Sequence, residues 1–279
     1  MYTKISPLFL ALLCLLAPIN IQAENKHVYS IGIVPQFEIR HLRKIWNPIL
    51  TEIKKNTGIE LKLVGSPTIP DFEKEFNRGH FDFAYMNPYH MLLAQRSQSY
   101  IPLIRDTGRK LHGILVVRKD SDIKSIKDLE GKKIAFPAPN ALGASLLMRA
   151  NLRNDYKIKF NPVYVKTHSS VYLNVIVKQA DAGGGVQKTL KQQKINISSA
   201  LKVLHKTPSV APHPLAVHPR VPVEVREKVT QTLLEMGKNP IGQALLAKIP
   251  IKKIGVASMS DYTALEKFKL EQYYVDNND

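Results

Sequence analysis

From its first strand-like run onward the chain alternates short apolar stretches with segments of helical spacing, and that alternation leaves few folds open. "VYSIGIV" reads as a buried strand, after which Leu42, Ile45, Trp46, Ile49, Leu50 and Ile53 recur on one helical face that Gly58 closes. Pro48 lies inside this run, where it removes one backbone hydrogen bond and predicts a kink or an early end near Ile45. "IELKLVGS", "DFEKEFNRG" and "FDFAYMN" repeat the order strand, helix, strand, and Pro88 stands where the first turn of the next helix begins. Units of this kind joined by short links imply mainly parallel sheets covered by helices.

Two extended runs, "YIPLIRD" and "LHGILVVRKD", then follow with no helix between them. "SIKDLEGKKIAF" reads as a short helix, a turn at Gly131 and a buried strand. The alternation restarts with a helix from Ala141 to about Asn154, the strand "NPVYVK", a helix from Ser169 to about Gln179 and the strand "ADAGGGV". A proline-rich extended segment, "KTPSVAPHPLAVHP", leads to two last helices near 223–236 and 240–247. The pattern is that of two α/β lobes joined by extended hinge strands, residues 24–108 with 212–279 in one lobe and 109–211 in the other. A cleft between two lobes is where a small ligand goes.

Residues 1–23 are expected to be a cleaved signal peptide: Lys4 supplies the positive start, "PLFLALLCLLAP" the apolar centre, and "IQA" the small residue before the cut at Glu24. Cleavage would remove Cys14, the only cysteine, and with it any disulfide, thiolate catalysis or cysteine metal site. The exported protein would therefore hold itself together by core burial in the periplasm. Taking the leader's one base from the formal charge of +17 leaves +16, an excess that suits an anionic ligand or surface. The bases are spread along the chain without a dense run, which argues against nucleic acid.

Ligands of open α/β sheets lie beyond the carboxyl ends of the strands, against helix N-termini. Five such places carry unusual residues, beginning with Pro35, Gln36 and Phe37 after the first strand and ending with Gly183 to Gln187. "AYMNPY" sets Tyr85, Asn87 and Tyr89 at a strand end, with packing between sheet and helix as the alternative reading. In "FPAPNALGASLL" the open amides of a helix start follow Asn140, and Ala141, Leu142, Gly143 and Ala144 come before the first hydroxyl, Ser145. In "KTHSSVY", Thr167 or Ser169 caps a helix, leaving Ser170 and His168 to face a ligand. A histidine at a helix start is expected outside the core, so its removal should weaken anion binding and spare the fold. The glycines of "DAGGGV" fit a strand that other backbone approaches closely.

No enzyme is visible: the chain has no nucleophile elbow, Walker loop, HExxH helix or carboxylate pair at a strand end. No cofactor or metal is expected, since His213 and His218 are poorly spaced for a metal and read as exposed or core histidines.

The runs "GHFDFAYMNPYHMLLA", "SIKDLEGKKIAFPAPNALGAS", "VKTHSSVYLNVIVKQADAGGG" and "HPLAVHPRVP" resemble the phosphate/phosphite/phosphonate-binding proteins of ABC importers, in order and over roughly His27 to Leu246. The resemblance implies a type II periplasmic-binding fold whose lobes close on an anion. It also implies ligand contacts at Phe37, Tyr85, Asn87, Tyr89, the stretch Asn140–Ser145, and His168 with its neighbours Thr167, Ser169 and Ser170. Two departures stand out. The family's Ser-Thr-Ser run is replaced by Asn140, Ala141, Leu142 and Gly143, and the acidic residue after the glycine-ended strand by Val186 and Gln187. The expectation is a monomeric solute-binding protein that takes a phosphonate-, phosphate- or phosphite-like anion and hands it to a membrane permease. The alternative is a periplasmic sensor of the same fold that engages a receptor and transports nothing.

Overall fold

The computed structural model describes residues 27–249 and 251–276, so the expected leader lies outside the described residues. The first sheet contains β1 (Val28–Ile33), β2 (Glu60–Val64), β3 (Phe83–Tyr85), β4 (Ile101–Asp106), β10 (Leu215–Val217) and β11 (Ile254–Val256), in the order β11-β4-β10-β3-β1-β2. The second contains β5 (Gly113–Arg118), β6 (Lys133–Phe136), β7 (Asn161–Tyr164), β8 (Ala182–Val186) and β9 (Leu201–Lys206), in the order β7-β6-β8-β5-β9. This is the two-lobed α/β arrangement expected.

Each sheet is mixed rather than mainly parallel. β1 pairs in parallel with β2 and β3, and β6 with β7 and β8. The strands next to the crossings reverse this: β10 runs antiparallel to β3 and β4, and β5 runs antiparallel to β8 and β9. A chain that leaves one sheet and later returns must come back in the opposite direction, and helical spacing carries no sign of that reversal.

Alternation along the strands sorts side chains onto the two faces. Phe83 and Tyr85 of β3 join the cluster under α1 (Ile39–Thr57), with Trp46, Ile49, Ile53, and Leu233 of α8 (Val223–Met236). Ala84 and Met86 point the other way, to Phe72 of α2 (Ile69–Asn77) and Leu92 of α3 (Pro88–Gln98). In the second sheet Leu115 and Val117 pack with Met148 and Leu152 of α4 (Leu147–Asn154), while Ile114 and Val116 meet Val171 and Val175 of α5 (His168–Ile176). α1 passes through Pro48 without a break. Lys44, whose carbonyl loses its helical partner, is exposed, and the buried face of Leu42, Trp46, Ile49, Leu50 and Ile53 holds the helix together.

The chain crosses between the sheets twice. The crossings bond to each other where Leu111 and Val210 exchange backbone hydrogen bonds of 2.9 and 2.8 Å. Asp106, buried at the start of the first crossing, accepts from the amides of Gly108, Lys252 and Lys253 and from Arg109 Nε. A third link comes from the C-terminal segment. The carbonyl of Tyr273 accepts from Arg149, its hydroxyl donates to Asn154, and Val275 bonds to Asn140 on both its N–H and its C=O.

The helix expected from Ala141 opens as one wide π turn, Leu142–Leu146, before continuing as α4. Glycines determine where that turn sits. A Cβ on Gly113 would lie 1.8 Å from the carbonyl oxygen of Gly143, and one on Gly184 would lie 1.9 Å from that of Ala144. The close backbone approach read into "DAGGGV" is this contact. Gly184→Ala should therefore push the 142–146 turn off the sheet and cost about 1–3 kcal/mol, read as a lower urea midpoint at unchanged slope. Gly131→Asn, at a left-handed turn with open space around it, should cost far less.

Candidate ligand site between the lobes

The π turn and its surroundings enclose a small cavity of about 20 Å³ between the lobes. Ala141, Leu142, Gly143, Ala144 and His168 line it from the second sheet's side, and Asn87, Gln36, Val34 and His213 from the first's. The first amides of a helix have no partner within it, so those of Leu142, Gly143 and Ala144 are open at this end. Asn87 owes its position to capping α3, where its Oδ1 accepts from the amides of Tyr89 and His90 at 2.9 Å.

A larger chamber of about 470 Å³ adjoins the cavity. Phe37, Tyr85 and Gln187 open onto it. Tyr85 donates to the carbonyl of Ile249 (3.2 Å), stacks on His213 at 5.5 Å and tilts against Trp46 at 4.9 Å. Burial pushes its hydroxyl well above the usual phenol range.

His168 is buried, at 3 % exposure, which corrects the expectation of a histidine outside the core. The helix start it occupies is covered by α6 (Gln187–Lys191), whose Thr189 Oγ1 lies 3.3 Å from His168 Nδ1. Burial pulls its pKa down to about 4, and His213 is pulled down to about 3 by burial with the neighbouring His90 and His168 adding to it. Both rings are neutral at pH 7.

Other expected contacts point elsewhere. Tyr89 packs on Tyr274 at 5.7 Å. Thr167 caps α5 through Ser170 N (3.1 Å) and meets Ser170 Oγ at 2.9 Å, while Ser169 accepts from Gln193. Ser145 accepts from Arg149 Nε at 3.1 Å. Asn140, fully buried, neither caps the helix nor faces the cavity: its Nδ2 donates to Glu73 Oε2 (2.9 Å) and the Val275 carbonyl (2.7 Å), and its Oδ1 accepts from Val275 N (3.0 Å). Asn87 Nδ2 donates to the Asn140 carbonyl at 3.3 Å. The asparagine that replaces the first hydroxyl of the family's run is thus a latch across the lobes.

Sequence reasoning missed His213, Trp46 and Lys188 as lining residues, while Gln36, at the end of the first strand, lines both the cavity and the chamber. A signal for His213 was present. It lies two residues before Leu215, which pairs with Tyr85, so His213 falls on the same face of the sheet as a diagonal neighbour of Tyr85. Lys188 reaches from α6 to the carbonyl of Lys248, at the C-terminal end of α9 (Pro240–Lys248), where a helix favours a cation.

Residues 31–262 match the family described as "ABC transporter, phosphonate, periplasmic substrate-binding protein". The chain belongs to that family. Among curated relatives, the binding protein is 23 % identical over 253 residues to the phosphonates-binding periplasmic protein of Escherichia coli, covering 84 % of this chain and 73 % of the relative. It is 23 % identical over 223 residues to the phosphate-import protein PhnD of Mycolicibacterium smegmatis, covering 72 % and 69 %. Among solved structures, the binding-protein component of a Pseudomonas aeruginosa ABC phosphonate transporter superposes with a TM-score of 0.80 at 18 % identity, over 91 % of this chain and 90 % of that one. PhnD1 of Prochlorococcus marinus, solved with methylphosphonate, gives 0.81 at 16 % identity over 90 % and 100 %. These likenesses establish the type II periplasmic-binding fold. No helix among the described residues is long and apolar enough to cross a membrane.

Two outcomes are expected of the binding protein. Asn140→Ala should open the cleft, seen as a larger radius of gyration in solution scattering, and cost about 1.5–3 kcal/mol because one lost bond is to a carboxylate. The second concerns pH. Unfolded histidine takes up a proton near pH 6.5, whereas folded His168 holds out to about 4. The unfolded state therefore binds more protons in between, so stability is full above pH 6.5 and drains as pH falls toward 4. His168 alone is worth roughly 3 kcal/mol at the acid end of that window. A His168→Gln variant should show a visibly shallower loss in urea unfolding between pH 7 and 4.

Proposed function

We propose that the protein is the exported, monomeric substrate-binding component of an ABC importer, that it captures a small phosphorus oxyanion between its lobes, and that the closed form docks on the membrane permease. In this reading one lobe comprises residues 24–108 and 212–279 and the other 109–211. The observation that carries it is the turn 142–144, whose open amides face Asn87 and His213 of the opposite lobe across a cavity closed by His168. Amides at a helix start bind anions without hydroxyl help. Three neutral hydroxyl bonds would add about 0.5–1.5 kcal/mol each, so their loss costs affinity and leaves the anion site in place.

The histidine gives the site a preference. The single proton of Thr189 is taken by the Val186 carbonyl at 2.9 Å or the Tyr172 hydroxyl at 2.6 Å, both nearer than the ring at 3.3 Å, so its oxygen accepts from His168 Nδ1–H. The other ring nitrogen is then a bare acceptor, matched by a phosphoryl hydroxyl. Sulfate carries no such hydrogen at neutral pH.

Calorimetric titration of ligand-stripped protein with phosphate, phosphite, methylphosphonate and 2-aminoethylphosphonate, against sulfate as control, tests this. Micromolar or tighter binding of a phosphorus anion, with sulfate at least tenfold weaker, is the expected result. Folded protein that stays silent to the whole panel, or prefers sulfate, would overturn it.

A further inference from the structure

The 470 Å³ chamber is far larger than a methylphosphonate needs, and falls in the range of pockets that hold drug-sized molecules. It adjoins the anion cavity: Val34, Gln36, Leu111, Val186 and His213 border both, and the Gln36–His213 hydrogen bond of 3.0 Å lies on that boundary. The cavity itself has room for about one water-sized group. A tetrahedral anion seated on the 142–144 amides therefore extends into the chamber, and whatever is bonded to phosphorus lies there.

The chamber has two unlike walls. Phe37, Leu42, Ile45, Trp46 and Tyr85, from α1, β3 and the loop before α1, form an apolar and aromatic floor. The other side carries Arg109, Lys110, Lys188, Lys191 and Lys248. Asp106, the one carboxylate of the lining, is already taken up by three backbone amides and Arg109. Lys188 donates to a backbone carbonyl rather than to an acid. The wall therefore carries a surplus of positive charge facing apolar surface. Lys188 is held down to about 8 by burial and by Arg109 beside it, a strain that an anion nearby relieves.

We propose that the chamber is a second subsite that selects organic phosphonates or phosphate monoesters bearing an apolar, preferably aromatic, body, with the phosphoryl head on the amides of Leu142–Ala144 and the body on Phe37, Ile45 and Trp46. This rests on the anion-binding reading above and names its substrate class. Val186 and Gln187 line the same chamber and add no carboxylate to it, so Asp106 is the one acid a ligand amine could meet, and it is already satisfied.

Trp46 is the only tryptophan of the chain, so its fluorescence reports this chamber alone. The test titrates methyl-, butyl- and phenylphosphonate by calorimetry and fluorescence, with benzenesulfonate as an aryl anion that lacks phosphorus. Phenylphosphonate should bind at least tenfold more tightly than methylphosphonate and shift the tryptophan signal. Ile45→Gln should remove most of that gain while leaving methylphosphonate within about threefold, and Phe37→Ala should remove it as well. Equal affinity for methyl- and phenylphosphonate, or a gain that both variants retain, would overturn the subsite. Benzenesulfonate bound with a tryptophan shift while every phosphonate stays silent would sink the phosphorus reading and keep the apolar chamber. Silence from all four probes on folded protein would overturn both.

Discussion

The contact on which most of the interlobe architecture depends is the seating of one wide helical turn on two glycines. Because Gly113 and Gly184 have no side chains, the carbonyls of Gly143 and Ala144 press against β5 and β8. That seating fixes where the amides of 142–144 point, and it brings Leu142 into an apolar cluster with Val34 and Met86 from the first sheet. Closing the cleft and presenting the amides are therefore one packing event, in which burial of apolar surface supplies the drive and backbone geometry the direction.

Around that seat the lobes are held at three further places, each by a different kind of bond. The crossings share a two-stranded bridge at Leu111 and Val210. Asn140 joins Glu73 and the C-terminal segment in a buried polar node. On the far side Lys188 reaches the end of α9. The bridge is the natural hinge, and the other two are contacts that an opening motion must break.

Much of the fold was legible because periodicity reports burial. The face of α1, the strand "FDFAYMN" and the helices at 223–236 and 240–248 all follow from apolar spacing, and each buries most of its apolar face, with Ile45 half-buried and Val223 and Ile241 exposed. Strand direction was not legible, since an apolar strand looks the same whichever way its neighbour runs. At the site, sequence found the elements but not always the side-chain direction. Asn87 and the 141–144 turn line the cavity. Tyr89, two residues beyond Asn87, turns into the packing against Tyr274. His168 looked exposed because its own helix gives no hint of α6, which lies nineteen residues on and covers it. Asn140 looked like a ligand contact because its partners, Glu73 and Val275, are far away in sequence and meet it only once the lobes are together.

The C-terminal segment gives this closure a thermodynamic character of its own. Residues 273–275 follow the first sheet's last strand in sequence yet bond to Asn140, Arg149 and Asn154 of the other lobe. Every such bond adds to the share of closed molecules before any solute arrives. The larger the closed share beforehand, the less of a solute's intrinsic affinity goes into shutting the cleft, which offsets the hydroxyl donors missing from the site. These bonds have to break before the lobes part, so they bear on the opening of the cleft as well as on its closing.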